Sequence, residues 1–338
     1  MGIEDRVERV LKKLKLNKFN PLPFARSGHL QTIYGNYWPI LKPSRPDCFH
    51  HVVLPDGDIM VLAENRPKNW QPGSRIMLLV HGLTGSHQSH YMQRMCRRLN
   101  KKGYLVLRLN LRHSGPGMGL ARTPLHAGAS HDTRLVLNWI KEKYPNSPVT
   151  QIGFSLGGNI TLKMAGEDGS RPSGNLDSVV AVSPPVDLES TTERLASPEN
   201  WLFEYVFIHC MRRDAKIMMK HFPDMDPIVF PKERNIHEYV ELFAAQRAGY
   251  ANAKDYYDRC SSIHYIPEIK IPTLIVSSAD DPVVDGKALA RVPHSDNLDI
   301  LLTEHGGHIG FLGFGTSYDE VRWSDQAVAR WLEDTMAI

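Results

Sequence analysis

Gly153-Phe154-Ser155-Leu156-Gly157 has the G-x-S-x-G spacing in which a serine hydroxyl becomes a nucleophile. A five-residue pattern recurs by chance, and a glycine-rich helix start with a capping serine looks the same. Context separates the two readings. Residues 149–154 read as a buried strand and residues 156–166 as a helix, which puts Ser155 on the turn between them. So sharp a turn lifts the hydroxyl above the sheet, and the glycines leave room where a Cβ would collide. The chemistry open to such a serine is acyl transfer through a covalent acyl-enzyme.

That serine needs a base, because a hydroxyl is a weak nucleophile at its free pKa. His308, in His305-Gly306-Gly307-His308, follows the last strand and can reach across the top of the sheet; His305 is a chemical rival. A carboxylate must orient the imidazole, in the chain order Ser, acid, His. Asp280-Asp281-Pro282 follows a strand in that interval. Asp281 is the choice and Asp280 the alternative, with the neighbour expected to cap or turn the loop. His81-Gly82-Leu83-Thr84-Gly85 follows the strand at 76–80, where an oxyanion loop belongs. The backbone N–H groups of Leu83 and Leu156 are the expected oxyanion donors. His81 is read as structural, holding that loop.

Other patterns carry less. Gly115-Pro116-Gly117-Met118-Gly119 lacks the spacing of a dinucleotide loop. His87-x-x-His90 and His305-x-x-His308 have no H-E-x-x-H context, so no metal is expected. Lys12-Lys13 and Arg97-Arg98 are short basic pairs, read as solvated faces rather than a nucleic-acid site.

The elements that must position these residues alternate. Residues 52–54 and 59–63 read as a hairpin around Pro55-Asp56-Gly57-Asp58. Strands are expected at 76–80, 104–109, 149–154, 176–182, 273–278 and 298–303, and helices at 89–102, 131–144, 156–166 and 322–336. Strands alternating with helices imply an α/β architecture with a mostly parallel sheet flanked on both faces. Residues 186–266 break the pattern and read as an all-helical insertion, leaving 1–185 and 267–338 as two parts of one core. Its aromatic and methionine residues, Trp201, Phe207, Met211 and Met218 among them, fit both an apolar lid over a pocket and the insertion's own core.

The chain has 338 residues, 42% hydrophobic and 23% charged, ordinary for a globular protein, and its net charge of +3 does not by itself point to nucleic acid, which needs a concentrated basic face. Four cysteines without C-x-x-C spacing give no zinc ribbon or disulfide framework, so a reducing compartment is the default. The N-terminus is charged and lacks a signal-peptide core, and no stretch reaches the roughly 18 apolar residues of a membrane span. A cytoplasmic protein without stable membrane insertion is expected. Val7, Val10, Leu11 and Leu14 lie at helical spacing among basic residues; a helix docked on the body is preferred to a membrane-surface helix.

Taken in order, Gly28-His29-Leu30-Gln31-Thr32, His81-Gly82-Leu83-Thr84-Gly85, Gly153-Phe154-Ser155-Leu156-Gly157-Gly158-Asn159, Asp280-Asp281-Pro282 and His305-Gly306-Gly307-His308-Ile309-Gly310-Phe311 resemble the YheT-type hydrolases, the AB hydrolase-4 family. The resemblance runs over about residues 24–331. It implies an α/β-hydrolase fold, a triad matching Ser155, Asp281 and His308, and carboxylesterase-like activity on small to medium acyl esters without a cofactor. It selects His308 over His305. Eukaryotic members are membrane-anchored lipases; without their N-terminal anchor this chain is expected to be a soluble, bacterial-type esterase with a small-molecule ester substrate. The 28–32 segment is expected to pack near the active-site rim. The alternatives are an amidase, peptidase or lipase using the same triad, a non-catalytic binder of an apolar ligand, and a metallohydrolase.

Overall fold

Apolar runs of five to seven residues supply the strands of a single sheet: β1 (Cys48–Val53), β2 (Ile59–Asn65), β3 (Ile76–Val80), β4 (Leu105–Asn110), β5 (Val149–Phe154), β6 (Leu176–Val182), β7 (Thr273–Ser278) and β8 (Leu298–Thr303). The computed structural model describes residues 2–37, 43–226, 235–315 and 321–336. Strand order is β1-β2-β4-β3-β5-β6-β7-β8. β1 and β2 form the expected antiparallel hairpin, β2 runs antiparallel to β4, and every other pair is parallel. The sheet is therefore mostly parallel, as the α/β reading requires.

β3 shows why a continuous apolar run is needed. All five of its residues are buried; Ile76, Leu78 and Val80 join the core on one face, Met77 and Leu79 the core on the other. Helices α4 (Ser130–Lys143) and α5 (Leu156–Asp168) cover the first face with Val136, Ile140, Ile160 and Met164. Helices α1 (Ile3–Lys13), α3 (His90–Lys101) and α11 (Trp323–Met336) cover the second with Val10, Met95, Leu99 and Trp331. α1 is thus a docked helix. Arg6 donates to the Val292 carbonyl at 2.7 Å and Lys13 pairs with Asp299 of β8 at 2.9 Å, so α1 shields the edge strand.

Between β6 and β7 the described residues form helices and turns and no strand: α6 (Leu188–Leu195), α7 (Trp201–His221), then α8 (Ile236–Tyr239) running through a π turn at Val240–Ala244 into α9 (Ala245–Arg247), and α10 (Ala253–Cys260). Residues 227–234, also within the expected insertion, lie outside the described residues. The apolar content of this segment divides. Ala215, Met218, Phe243 and Ala244 make a small core of their own, whereas Ile208, Met211 and Val240 join the main one.

One helix has no counterpart in the sequence reading: α2 (Gly28–Tyr37). It packs against the loop after β8.

Candidate active site

The chain reverses its winding direction around β3, which lies between β4 and β5, so the carboxyl ends of β3 and β5 open on the crevice where such sheets bind ligands. Val80 and Gly153 are register partners, so the segments leaving these strands emerge side by side. On the turn after β5, Ser155 has φ 49° and ψ −124°, a strained setting for a residue with a Cβ. Its N–H is held by the Val182 carbonyl at 2.9 Å. The flanking glycines are a steric requirement. A Cβ on Gly153 would lie 2.2 Å from the Gly157 carbonyl oxygen, and one on Gly157 would lie 2.5 Å from that of His81.

β7 and β8 are parallel and paired to their ends, Ser278 with Thr303, so the loops after them also leave side by side. This brings Asp281 and His308 together. His308 Nδ1 lies 2.9 Å from Asp281 Oδ2, and His308 Nε2 lies 2.9 Å from Ser155 Oγ. The second carboxylate oxygen of Asp281 accepts the N–H groups of Val283 at 2.8 Å and Val284 at 3.0 Å. A carboxylate can only accept, so Nδ1 carries the imidazole proton and Nε2 turns its lone pair to the serine hydroxyl. Asp281 is fully buried, and Ser155 and His308 are each 9% exposed. Arg194 of α6 adds a hydrogen bond from Nε to the Asp281 carbonyl.

Asp280 and His305, the rivals in the sequence, form a separate pair. His305 Nδ1 is 3.3 Å from Asp280 Oδ2, and Asp280 Oδ1 accepts the Gly307 N–H at 2.9 Å. Asp280 thereby ties the loop that carries His308.

Beside Ser155, neither the Leu83 nor the Leu156 N–H has an acceptor among the described residues. The loop bearing Leu83 is held from both sides. The Leu111 N–H donates to His81 Nε2 at 3.1 Å, and His81 Nδ1 donates to the Gly82 carbonyl at 2.7 Å. Burial pushes the His81 imidazole down to about 4, which keeps this bridge neutral. The Gly82 N–H donates to the Tyr91 hydroxyl at 3.0 Å.

Residues 28–32 lie beside the loop that carries His308, as expected of a segment at the rim of the site, and Gln31, Thr32 and Asn159 hold roles that the sequence does not assign. The Thr32 hydroxyl accepts the His308 N–H at 2.9 Å and donates to the Gly28 carbonyl at 2.7 Å. Gln31 donates to the Leu312 carbonyl at 2.9 Å and accepts the Leu312 N–H at 2.7 Å. α2 is therefore a brace for the histidine loop, and Gly28-His29-Leu30-Gln31-Thr32 was its only signal. Asn159 ties α5 to the carbonyls of Ala127 at 3.1 Å and Cys260 at 2.9 Å.

Above Ser155 lies an apolar cavity, roofed by Leu188, Leu195, Phe207, Met211 and Val240 and walled by Leu125 and Val284. The two H-x-x-H patterns do not gather as metal sites. His87 faces Asn110, and His305 and His308 face different carboxylates. Cys48, His50 and Glu64 do cluster on β1 and β2. There Lys143 approaches His50 Nδ1 at 3.0 Å and Arg66 Nε approaches Glu64 at 2.8 Å, so Arg66 already balances the carboxylate.

Residues 75–221 match the family described as alpha/beta hydrolase fold. The chain has the α/β-hydrolase fold and is a hydrolase of the esterase and lipase type. It is similar to the YheT type: it is 29% identical to the Escherichia coli (strain K12) protein YheT, an esterase by name, over 93% of each chain. It is 26% identical to the Danio rerio monoacylglycerol lipase ABHD2, over 91% of this chain and 75% of that one. Among solved structures, an esterase of Pyrococcus furiosus shares the fold with a TM-score of 0.56 at 18% identity, over 88% of this chain and 98% of that one. Among the described residues no helix is long and apolar enough to cross a membrane.

Proposed function

We propose that the chain is a serine carboxylesterase in which Ser155 is the nucleophile, His308 the general base and Asp281 the residue that orients it. The observation that carries this reading is the unbroken line from Asp281 through His308 to Ser155, with both contacts at 2.9 Å. His308 takes the serine proton as Oγ attacks the ester carbonyl. The oxyanion falls between the N–H groups of Leu83 and Leu156. His308 then returns the proton to the leaving alcohol, and water releases the acyl group by the same route. Asp281 stabilises the imidazolium without taking its proton.

Residues 186–266 act as the cap, and residues 1–185 and 267–338 form the catalytic core. The acyl group enters the apolar cavity under Phe207 and Met211. That lining, together with the names of the ABHD2 relatives, favours esters of aliphatic acids, with acyl-glycerols within reach. In the test, Ser155→Ala loses p-nitrophenyl ester hydrolysis and fluorophosphonate labelling while remaining folded. Turnover near the unmodified level would overturn the assignment. A series of p-nitrophenyl esters of increasing chain length reads the depth of the cavity, and matched anilides separate esterase from amidase.

A further inference from the structure

We propose that the exposed face of α7, with the adjoining edge of α2, docks the protein on the surface of an anionic phospholipid bilayer. The two long sides of α7 are unlike each other. One is buried through Met211, Ala215 and Met218, and Met211 reaches the cavity above Ser155. The other opens to solvent with large apolar side chains: Trp201 is 64% exposed, Tyr205 62%, Val206 49% and Leu202 44%. Single exposed apolar residues are ordinary on a protein surface, but four within two turns form a patch that water disfavours.

The patch continues across to α2. His29 packs its ring on Phe203 at 5.6 Å and lies 3.1 Å from the Glu199 carbonyl, so the two helices are neighbours, and Leu30 and Ile33 of α2 are exposed beside them. Further along α7 the same exposed side turns cationic, with Arg213, Lys216 and Lys220 continuing the helical spacing from Tyr205 through His209. Arg213 is paired with Asp214 at 2.8 Å; among the described residues Lys216 and Lys220 have no carboxylate within ion-pair distance. Aromatic side chains at one end and lysines at the other match the two layers of a bilayer surface. Tryptophan and tyrosine favour the boundary between headgroup and acyl chain, and lysine favours anionic headgroups.

A second copy of the chain fits this face poorly. Antiparallel pairing of two α7 helices would set apolar halves against cationic halves, and parallel pairing would set lysines against lysines. Docked on a bilayer, α7 carries lipid contacts on one side and the cavity roof on the other, which brings the acyl-binding space to the lipid. The docking surface contains no residue of the Ser155 site, so it stands apart from the hydrolytic reading.

The test is co-sedimentation of the full chain with vesicles of phosphatidylcholine alone and of phosphatidylcholine with phosphatidylglycerol. The expected result is binding to the anionic vesicles, about tenfold or more tighter than to the neutral ones and weakened by salt. Ser155→Ala binds as the unmodified chain does, even if hydrolysis fails. The double variants Trp201→Ala/Tyr205→Ala and Lys216→Glu/Lys220→Glu each lose about tenfold or more in vesicle affinity while keeping thermal stability and hydrolysis of a soluble p-nitrophenyl ester. Absence of binding to anionic vesicles at low salt would overturn the proposal, as would variants that bind like the unmodified chain. A concentration-dependent dimer that the aromatic double variant abolishes would reassign the face to a second copy.

Discussion

The backbone N–H of His308 is held by the hydroxyl of Thr32, 2.9 Å away and 276 positions earlier in the chain. That one contact joins a helix near the N-terminus to the loop that presents the imidazole. The hydroxyl is spent in both directions, accepting from His308 and donating to Gly28. Thr32→Val keeps the shape but leaves a buried N–H without an acceptor, a loss of about 1–3 kcal/mol. Thr32 is a positioning residue, so kcat for a p-nitrophenyl ester is expected to fall about tenfold with KM little changed. Thr32→Ser is expected to restore the rate. Equal loss in both variants would show that shape rather than the hydrogen bond is at work.

Gly28 stands where α2 meets the acid loop. A Cβ there would lie 1.8 Å from the Asp280 carbonyl oxygen, a backbone atom that cannot swing aside. Gly28→Ala is expected to lower the unfolding free energy by about 1–3 kcal/mol, the range for overpacking. It is also expected to reduce kcat, because the displaced loop carries Asp281. Denaturant unfolding and ester hydrolysis on the same sample read both effects.

The paired carboxylates give a sharper contrast. Asp281→Asn replaces an acceptor at His308 Nδ1 with a group that can turn its amide toward the ring and fix the wrong tautomer. A fall in kcat of about three to four orders of magnitude is expected. Asp280→Asn loosens the Gly307 and His305 contacts without touching His308 and is expected to cost about tenfold or less. The reverse ranking would transfer the acid role to Asp280.

Acid stability follows in part from three buried imidazoles. Burial pushes His126, like His81 and His113, down to about 4 in the folded chain, against about 6.5 when unfolded. Between those values the unfolded chain binds the additional protons. The stability that these three histidines contribute is therefore full above about pH 6.5, falls as pH drops, and levels off below about 4, with a slope of up to about 1.4 kcal/mol per pH unit for each histidine. Urea midpoints measured across that window are expected to fall toward acid, and His113→Gln is expected to flatten the curve. A stability that is level across the window would contradict the neutral buried state of these rings.

Much of the site was legible because the sheet translates sequence into position simply. Apolar runs such as Ile76–Val80 mark strands buried on both faces, and parallel pairing then brings their carboxyl ends to one rim. Ser155, the 81–85 loop, Asp281 and His308 each follow such a strand. α2 was not legible, because it buries Gln31, Thr32 and Gly35 rather than an apolar stripe, so hydrophobic periodicity misses it. The division of labour between Asp280 and Asp281 rests on which oxygen meets which N–H, and periodicity does not encode that. The π turn at Val240–Ala244 and the split of the insertion's apolar residues between two cores depend on packing partners distant in the chain.

The backbone at Ser155 has a further consequence. Its φ of 49° belongs to the folded chain itself, before any ester arrives. A left-handed setting of this kind on a residue with a Cβ opposes folding by about 1–3 kcal/mol. Reactivity and robustness thus pull against each other through one dihedral angle. With Ser155 as the proposed nucleophile, relaxing that residue is expected to make a sturdier protein and a poorer catalyst, so the stability of the rest of the fold sets how much tension the elbow can hold.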